Sequence, residues 1–371
     1  MITDSLSMNI PSESVSQVSA QLEALYTGAA RCAIPFREIP ASFLWGAAGI
    51  GKSDAVRQLA VDLARSTKKT VHVTDVRLLL FSPVDLRGVP IADQSRRFAD
   101  WLCPRIFDMD KSPDVINILF LDELSAAPQS VQAAAYQITL DRRIGEHELP
   151  DNCIVIAAGN RTTDQSVAYK MPKALANRLM HFNIVSDFES WKAWALKSGI
   201  DSRVIGFLSF DNSRLCVTPE SSELAYPTPR SWAFVSTVLK ALSTDNVPPN
   251  AAHQLLSACV GIDTAVSFET WCEIYQHLPR IEDILKGCCK IYPKTQDALY
   301  ALVSSLTAAV FAKRDTILLD ELNNICSYAL HFPPDFALSL FKDLNSDAAV
   351  RLKLMKCPAL QAWLSRNKRY L

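Results

Sequence analysis

The chain has 371 residues, 49% of them hydrophobic and 21% charged, with a net charge of −1. That profile fits a folded globular protein with chain enough for two or three domains. It gives no argument for a general electrostatic affinity for nucleic acid or an anionic membrane, while leaving room for a local basic patch.

No stretch approaches the roughly 18 apolar residues of a membrane span. The start, MITDSLSMNIPSESVSQ, lacks the basic and apolar regions of a secretory signal. Ten cysteines (Cys32, Cys103, Cys153, Cys216, Cys259, Cys272, Cys288, Cys289, Cys326, Cys357) form no C-x-x-C pair, and no histidines stand near them at ligand spacing. The expectation is reduced, mostly buried thiols in a cytoplasmic protein, not a zinc site or a disulfide framework.

In chain order, residues 1–14 are polar and are expected to fray. Ser14 to Tyr26 has helical periodicity and is expected to cover core. The apolar run Phe43–Leu44–Trp45 predicts a buried strand, and Asp54–Ala64 an amphipathic helix. Thr70–Val76 alternates and is β-branched, a strand signal. Leu78–Pro90 breaks regularity, and Ile91–Phe107 predicts a hairpin or a loop excursion. Val115–Leu121 is nearly continuous in apolar residues, as a central parallel strand is. Pro128 opens a helix over Gln129–Leu140. Arg142–Pro150 predicts a tight hairpin turning at Gly145. Cys153–Ala158 is a second buried strand, Met171–Leu179 a short helix and His181–Val185 a last short strand. This alternation predicts an α/β domain with a mainly parallel sheet. Beyond Asp187 the pattern is helical: Phe188–Lys197, Ser231–Leu242, Ala251–Cys259, Phe268–His277, Thr295–Ala312, Leu318–Ala329, Asp335–Leu344 and Ala348–Lys356. There, Asp263, Trp271 and Tyr275 are expected to serve helix packing.

Three segments carry chemistry. After the first strand come Gly46, Ala47, Ala48, Gly49, Ile50, Gly51, Lys52 and Ser53, matching the phosphate-loop spacing G-x-x-x-x-G-K-[ST] at every fixed position. Glycines let backbone N–H groups turn inward around a phosphate, and the following helix presents its positive end. Lys52 supplies a point charge for the β- and γ-phosphates, and Ser53 a hydroxyl for Mg²⁺. The strand at 115–121 ends in Asp122-Glu123. Asp122 suits Mg²⁺ through water, a hard oxygen for a hard cation. Glu123 suits a base that polarises water for attack on the γ-phosphate. Asn160 closes the next strand, at the sheet edge where ligands of open α/β sheets bind, and could orient that water.

The set GAAGIGKS, NILFLDE, AAGN, ALANR ending at Arg178, and PTPRSW containing Arg230 resembles AAA+ ATPases, and within them the MoxR-like group. VDLRGVP, DRRIGEHELP and SWKAWALKSGI extend the resemblance over about residues 38–240. It departs at Ala48, where many relatives have proline, and at Leu179, where phenylalanine is common. The resemblance implies a P-loop parallel sheet flanked by helices, then a helical lid and a helical C-terminal extension. The corresponding segments are 1–37 (N-terminal helical), 38–186 (nucleotide-binding), 187–285 (lid) and 286–371 (extension).

By the same resemblance, Asn160 is sensor 1 and Arg178 is the arginine finger that reaches a neighbour's nucleotide. Arg230 is sensor 2, and whether it acts in cis or in trans stays open. Arg142 and Arg143 are rival finger candidates, although a solvent- or interface-facing hairpin is the preferred reading for them. The implied cofactors are ATP and Mg²⁺. The implied assembly is a homo-oligomer, commonly a hexameric ring, working as a chaperone-like remodeller on a protein partner that often carries a von Willebrand factor A domain. Alternatives are an ATP-gated assembly scaffold with slow hydrolysis, and a nucleic-acid-stimulated motor. Neutral charge and the lack of a recognisable DNA-reading module speak against the last.

Overall fold

The structure, a computed structural model, describes residues 9–161, 164, 169, 171–219, 223–242 and 250–367. The chain divides into two compact units, Met1–Ser186 and Asp187–Leu371.

In the first unit, β1 (Ser12–Glu13) precedes α1 (Val15–Arg31), whose first turn is closed by a reciprocal cap between Ser14 and Gln17. β2 (Ser42–Trp45) leads through the glycine-rich loop into α2 (Lys52–Thr67). β3 (Thr70–Arg77) is followed by the short α3 (Pro83–Arg87) and an antiparallel ribbon of β4 (Val89–Ala92) and β5 (Ala99–Leu102). Then come β6 (Val115–Asp122), α4 (Gln129–Asp141), a second ribbon of β7 (Arg143–Ile144) and β8 (His147–Glu148), β9 (Cys153–Gly159), α5 (Lys173–Ala176) and β10 (Met180–Ile184).

Among the described residues, six strands form one parallel sheet in the order β1-β10-β2-β9-β6-β3. The apolar runs of β6 and β9 lie inside, buried on both faces, whereas the alternating β3 is an edge. Leu119 and Leu121 pack with Val131, Ala135 and Ile138 of α4. The two-residue period turns Ile118 and Phe120 to the opposite face, where α1 and α2 pack on one another. Two expectations need correction. Ser12–Glu13 does not fray: it pairs with Asn183–Ile184 and gives the sheet an edge strand. Residues 1–8 of that same expectation lie outside the described residues. The helix expected over 171–179 covers only 173–176, because Pro172 sets its start and the chain must turn to enter β10.

The second unit comprises α6 (Phe188–Lys197), α7 (Ser202–Phe210), α8 (Pro229–Ala241), α9 (Ala251–Val260), α10 (Ile262–Cys272), α11 (Ile281–Leu285), α12 (Gln296–Ala312), α13 (Leu319–Ala329), α14 (Pro334–Asn345), α15 (Ala348–Leu354) and α16 (Pro358–Arg366). Two apolar cores form, one around Phe207, Trp232 and Phe268, the other around Leu306, Leu340 and Trp363. α12 feeds both, through Ala301 into the first and Leu302 and Leu306 into the second. α7, α11 and α16 had no counterpart in the sequence pattern. Trp271 is buried, and the Tyr275 hydroxyl bonds the Ser202 carbonyl and Ser304, so both serve packing as expected; Asp263 does not, being exposed in the first turn of α10.

Candidate active site

The C-terminal ends of three neighbouring strands, β2, β9 and β6, bring the phosphate loop, Asn160 and the acidic pair to one edge of the sheet. Gly49 (φ +77°) and Gly51 (φ +103°) take left-handed conformations that a side chain strains. Gly51 is the N-cap of α2, and no side chain caps that end, leaving its N–H groups turned toward the loop. The Lys52 ammonium donates to the carbonyls of Gly46 (2.6 Å) and Ala47 (2.9 Å) and to Asn160 Oδ1 (2.9 Å). The cation is thus held across the mouth of the loop, against the residue that follows β9.

The two acids have separate environments. Asp122 accepts the Ser53 hydroxyl at Oδ2 (2.9 Å) and the Glu123 N–H at Oδ1 (2.9 Å). Glu123 has a left-handed backbone (φ +59°), and the turn it opens is closed by Ala126 and Ala127 donating to its carbonyl. Such conformations are costly for a residue with a Cβ and concentrate at functional sites. The Glu123 side chain is exposed, and its carboxylate has no partner among the described residues. One carboxylate is therefore pinned beside the loop and the next is left available to solvent.

Ser125 was not singled out from sequence. Its hydroxyl accepts the Asn160 N–H (2.9 Å), its carbonyl accepts from Gln132 and from the Tyr169 N–H, and it sits under Gly159. A Cβ at Gly159 would lie 2.6 Å from the Ser125 oxygen, so the glycine lets the acidic turn and the end of β9 close on each other. The only signal in the sequence was a serine three residues past Asp122.

The arginines separate. Arg178 follows α5, is exposed, and its guanidinium has no partner among the described residues. In the β10–β2 register Met180 faces Ser42 and Asn183 faces Trp45. Arg178 therefore lies at the N-terminal end of this strand pair, and the phosphate loop at the other. Arg230 lies in the second unit, exposed in the first turn of α8 behind the capping residue Thr228.

The hairpin at 142–150 forms with Gly145 at its turn, but its two arginines part ways. Arg142 does not face solvent or an interface. It is buried, donates to the Ile39 carbonyl, and burial lowers its pKa from the ordinary arginine value. Near it, burial pushes the Cys153 thiol up to about 12, against the pull of the Arg142 charge. Arg143 is exposed and pairs with Glu148. The thiols are less buried than expected: only Cys153, Cys326 and Cys357 are fully buried, and all ten are unbridged. No helix among the described residues is long and apolar enough to cross a membrane.

Residues 42–181 match the model of the AAA_3 family, the ATPase family associated with various cellular activities. Among solved structures the chain is similar to a point mutant of RuvB from Thermotoga maritima: 16% identity, 82% of this chain and 86% of that one, TM-score 0.39. It is similar to NtrX from Brucella abortus in complex with ATP: 13% identity, 90% and 67% of the two chains, TM-score 0.36. It is similar to C. elegans PCH-2: 15% identity, 71% and 72%, TM-score 0.33. No curated protein matches the chain. The parallel six-stranded sheet and its phosphate loop form the α/β part of the AAA+ P-loop NTPase fold, and a helical region follows it in the chain.

Proposed function

We propose that the chain is a MoxR-like AAA+ ATPase that hydrolyses ATP within an oligomeric ring, commonly a hexamer in that group, and spends the energy remodelling or activating a protein partner, one with a von Willebrand factor A domain. The observation that carries the reading is the convergence of Lys52, Asn160, Ser53 and Asp122 at the loop mouth, with Glu123 exposed beside them.

Each side chain has a task that its surroundings favour. Backbone N–H groups of the loop and of the first turn of α2 bind the phosphates. Lys52 moves its charge onto the β- and γ-oxygens. Ser53 and Asp122 offer two hard oxygens 2.9 Å apart, a donor set that fits Mg²⁺. When bound, such an ion would neutralise negative charge on the β- and γ-phosphate oxygens. Glu123, kept apart from Asp122, takes the proton of the attacking water, and Asn160 orients that water. Arg178 lies at the far end of the β10–β2 pair from its own loop, which supports assigning it to a neighbouring subunit's nucleotide. A planar, permanent charge there stabilises the transferring phosphoryl, a contribution of about 10³–10⁵ in rate where measured. Arg230 is assigned to the sensor of the lid.

The test is complementation between two inactive variants. Glu123→Gln retains the finger and lacks the base; Arg178→Ala retains the base and lacks the finger. Each alone is expected to bind ATP, assemble and turn over at background. Mixed, they are expected to regain hydrolysis, because a Glu123→Gln subunit lends its arginine to the intact base next door. A mixture that stays at background while both variants assemble removes the finger in trans. Wild-type protein that assembles on ATP but does not turn over, with the partner present, selects the scaffold reading instead.

A further inference from the structure

Arg178 follows a weak element, two residues past its end. α5 has four residues, too few to be stable as a helix by itself, since nucleating a helical turn is unfavourable and short helices depend on tertiary contacts. Leu175 and Leu179 anchor it by burial against Phe43 and the core around it. Apolar burial is not directional, so those two residues fix where the segment lies more firmly than where its arginine points. Direction comes from a polar chain that no sequence motif announced.

The indole of Trp45 donates to Nδ1 of His181 across 3.0 Å, and the rings stack with centroids 6.1 Å apart. Indole N–H can only donate, so Nδ1 must accept. The imidazole hydrogen is therefore on Nε2, which donates to the Ala176 carbonyl across 2.7 Å. Ala176 is the last residue of α5, two positions before Arg178. Trp45 is the last residue of β2, directly before Gly46 of the phosphate loop. The indole reaches back diagonally, since His181 faces Phe43 in the strand register. One hydrogen-bonded chain thus ties the strand that leads into the loop to the end of the helix that the arginine follows.

We propose that His181, held by Trp45 in its Nε2–H form, is a positioning residue that aims Arg178 at the nucleotide of the neighbouring subunit. This rests on the finger role proposed for Arg178. It touches no nucleotide itself. Its effect is to hold the last turn of α5 so that the guanidinium is presented in one direction. A misplacement of about 1 Å at such a group costs up to about 100-fold in rate.

The test uses the full chain and separates the two nitrogens. His181→Asn keeps an oxygen near the position of Nδ1 to accept from Trp45 and loses the donor to Ala176. His181→Gln places an amide N–H near the position of Nε2 and loses the acceptor. Turnover with Mg-ATP, the ATP Kd and the melting temperature are measured for both, for Arg178→Ala and for the double variant Arg178→Ala/His181→Asn. His181→Asn is expected to lower kcat about 10- to 100-fold while the Kd stays within about twofold. His181→Gln is expected to recover most of the loss. The double variant is expected to be no slower than Arg178→Ala alone, because His181 acts through that arginine. If Arg178→Ala abolishes turnover and His181→Asn does not, the positioning role is wrong and the finger stands. Losses that multiply in the double variant also overturn it. If Arg178→Ala itself leaves turnover intact, the finger fails and the positioning role falls with it. Should His181→Asn prove unfolded, His181→Gln and Trp45→Phe decide: both must fold, bind ATP and lose less turnover than Arg178→Ala, and full activity in Trp45→Phe refutes the relay.

Discussion

The hydroxyl of Ser53 donates to Oδ2 of Asp122 across 2.9 Å, although 69 positions separate the two residues in the chain. The pair places two hard oxygens side by side at the mouth of the phosphate loop, where a divalent ion accompanying a nucleotide would sit. Ser53→Ala and Asp122→Asn are each expected to weaken Mg-ATP about tenfold or more while metal-free ATP binds unchanged. Titration with a fluorescent nucleotide, with and without Mg²⁺, checks this. Equal losses in both conditions would assign the pair to holding the loop.

Glu123 carries its exposed carboxylate on a left-handed backbone. Glu123→Gln keeps shape and backbone and is expected to cut turnover about 10²- to 10⁴-fold with ATP still bound. Glu123→Gly is expected to lose the same activity without loss of stability, because glycine adopts φ near +59° without a Cβ penalty. Steady-state hydrolysis beside a melting curve separates the two effects.

Gly159 has no room for a methyl: a Cβ there meets Ser125 Oγ at 2.6 Å, Ser125 Cβ at 2.9 Å and Phe43 at 3.1 Å. Gly159→Ala is expected to destabilise the first unit by about 1–3 kcal/mol and to impair hydrolysis by shifting Asn160. Gly28 is the control. It lies inside α1 with nothing within 4 Å of its Cβ position, and Gly28→Ala is expected to stabilise by about 0.5–1 kcal/mol. Urea unfolding of both variants tests the sign.

Asp201 caps α7 and holds Arg203 through two hydrogen bonds, of 3.0 and 2.8 Å. Burial pushes the Asp201 carboxyl pKa up, but the Arg203 side chain, its backbone N–H and its charge outweigh that and leave it below the ordinary value. A carboxyl with a depressed folded-state pKa adds stability above its unfolded value and loses it as pH falls. Asp201→Ala is therefore expected to cost about 1–3 kcal/mol at neutral pH. The gap to wild type should begin to narrow as the pH falls below about 4 and go on narrowing as the folded carboxyl protonates. A gap that does not narrow on acidification would mean that the lost contribution was packing.

Sequence alone determined what is local. The phosphate loop, the acidic pair after an apolar run and the alternation of strands and helices are each written in one contiguous segment, because strand and helix periods and glycine conformations depend on near neighbours. The pattern missed α7, whose SRVIGFLSF is apolar almost all round and so has no polar face to reveal a period. Its Gly206 also lies where Ser304, Trp271 and Tyr275 close in, a crossing no single segment encodes. Tertiary structure decided the rest. It set the strand order, withdrew Arg142 into the core, seated Asn160 on Ser125, joined Trp45 to His181, and put Arg178 at the opposite end of its strand pair from the loop. These are pairings between distant segments. They depend on register and on satisfying buried polar groups, and both are fixed only when the sheet assembles.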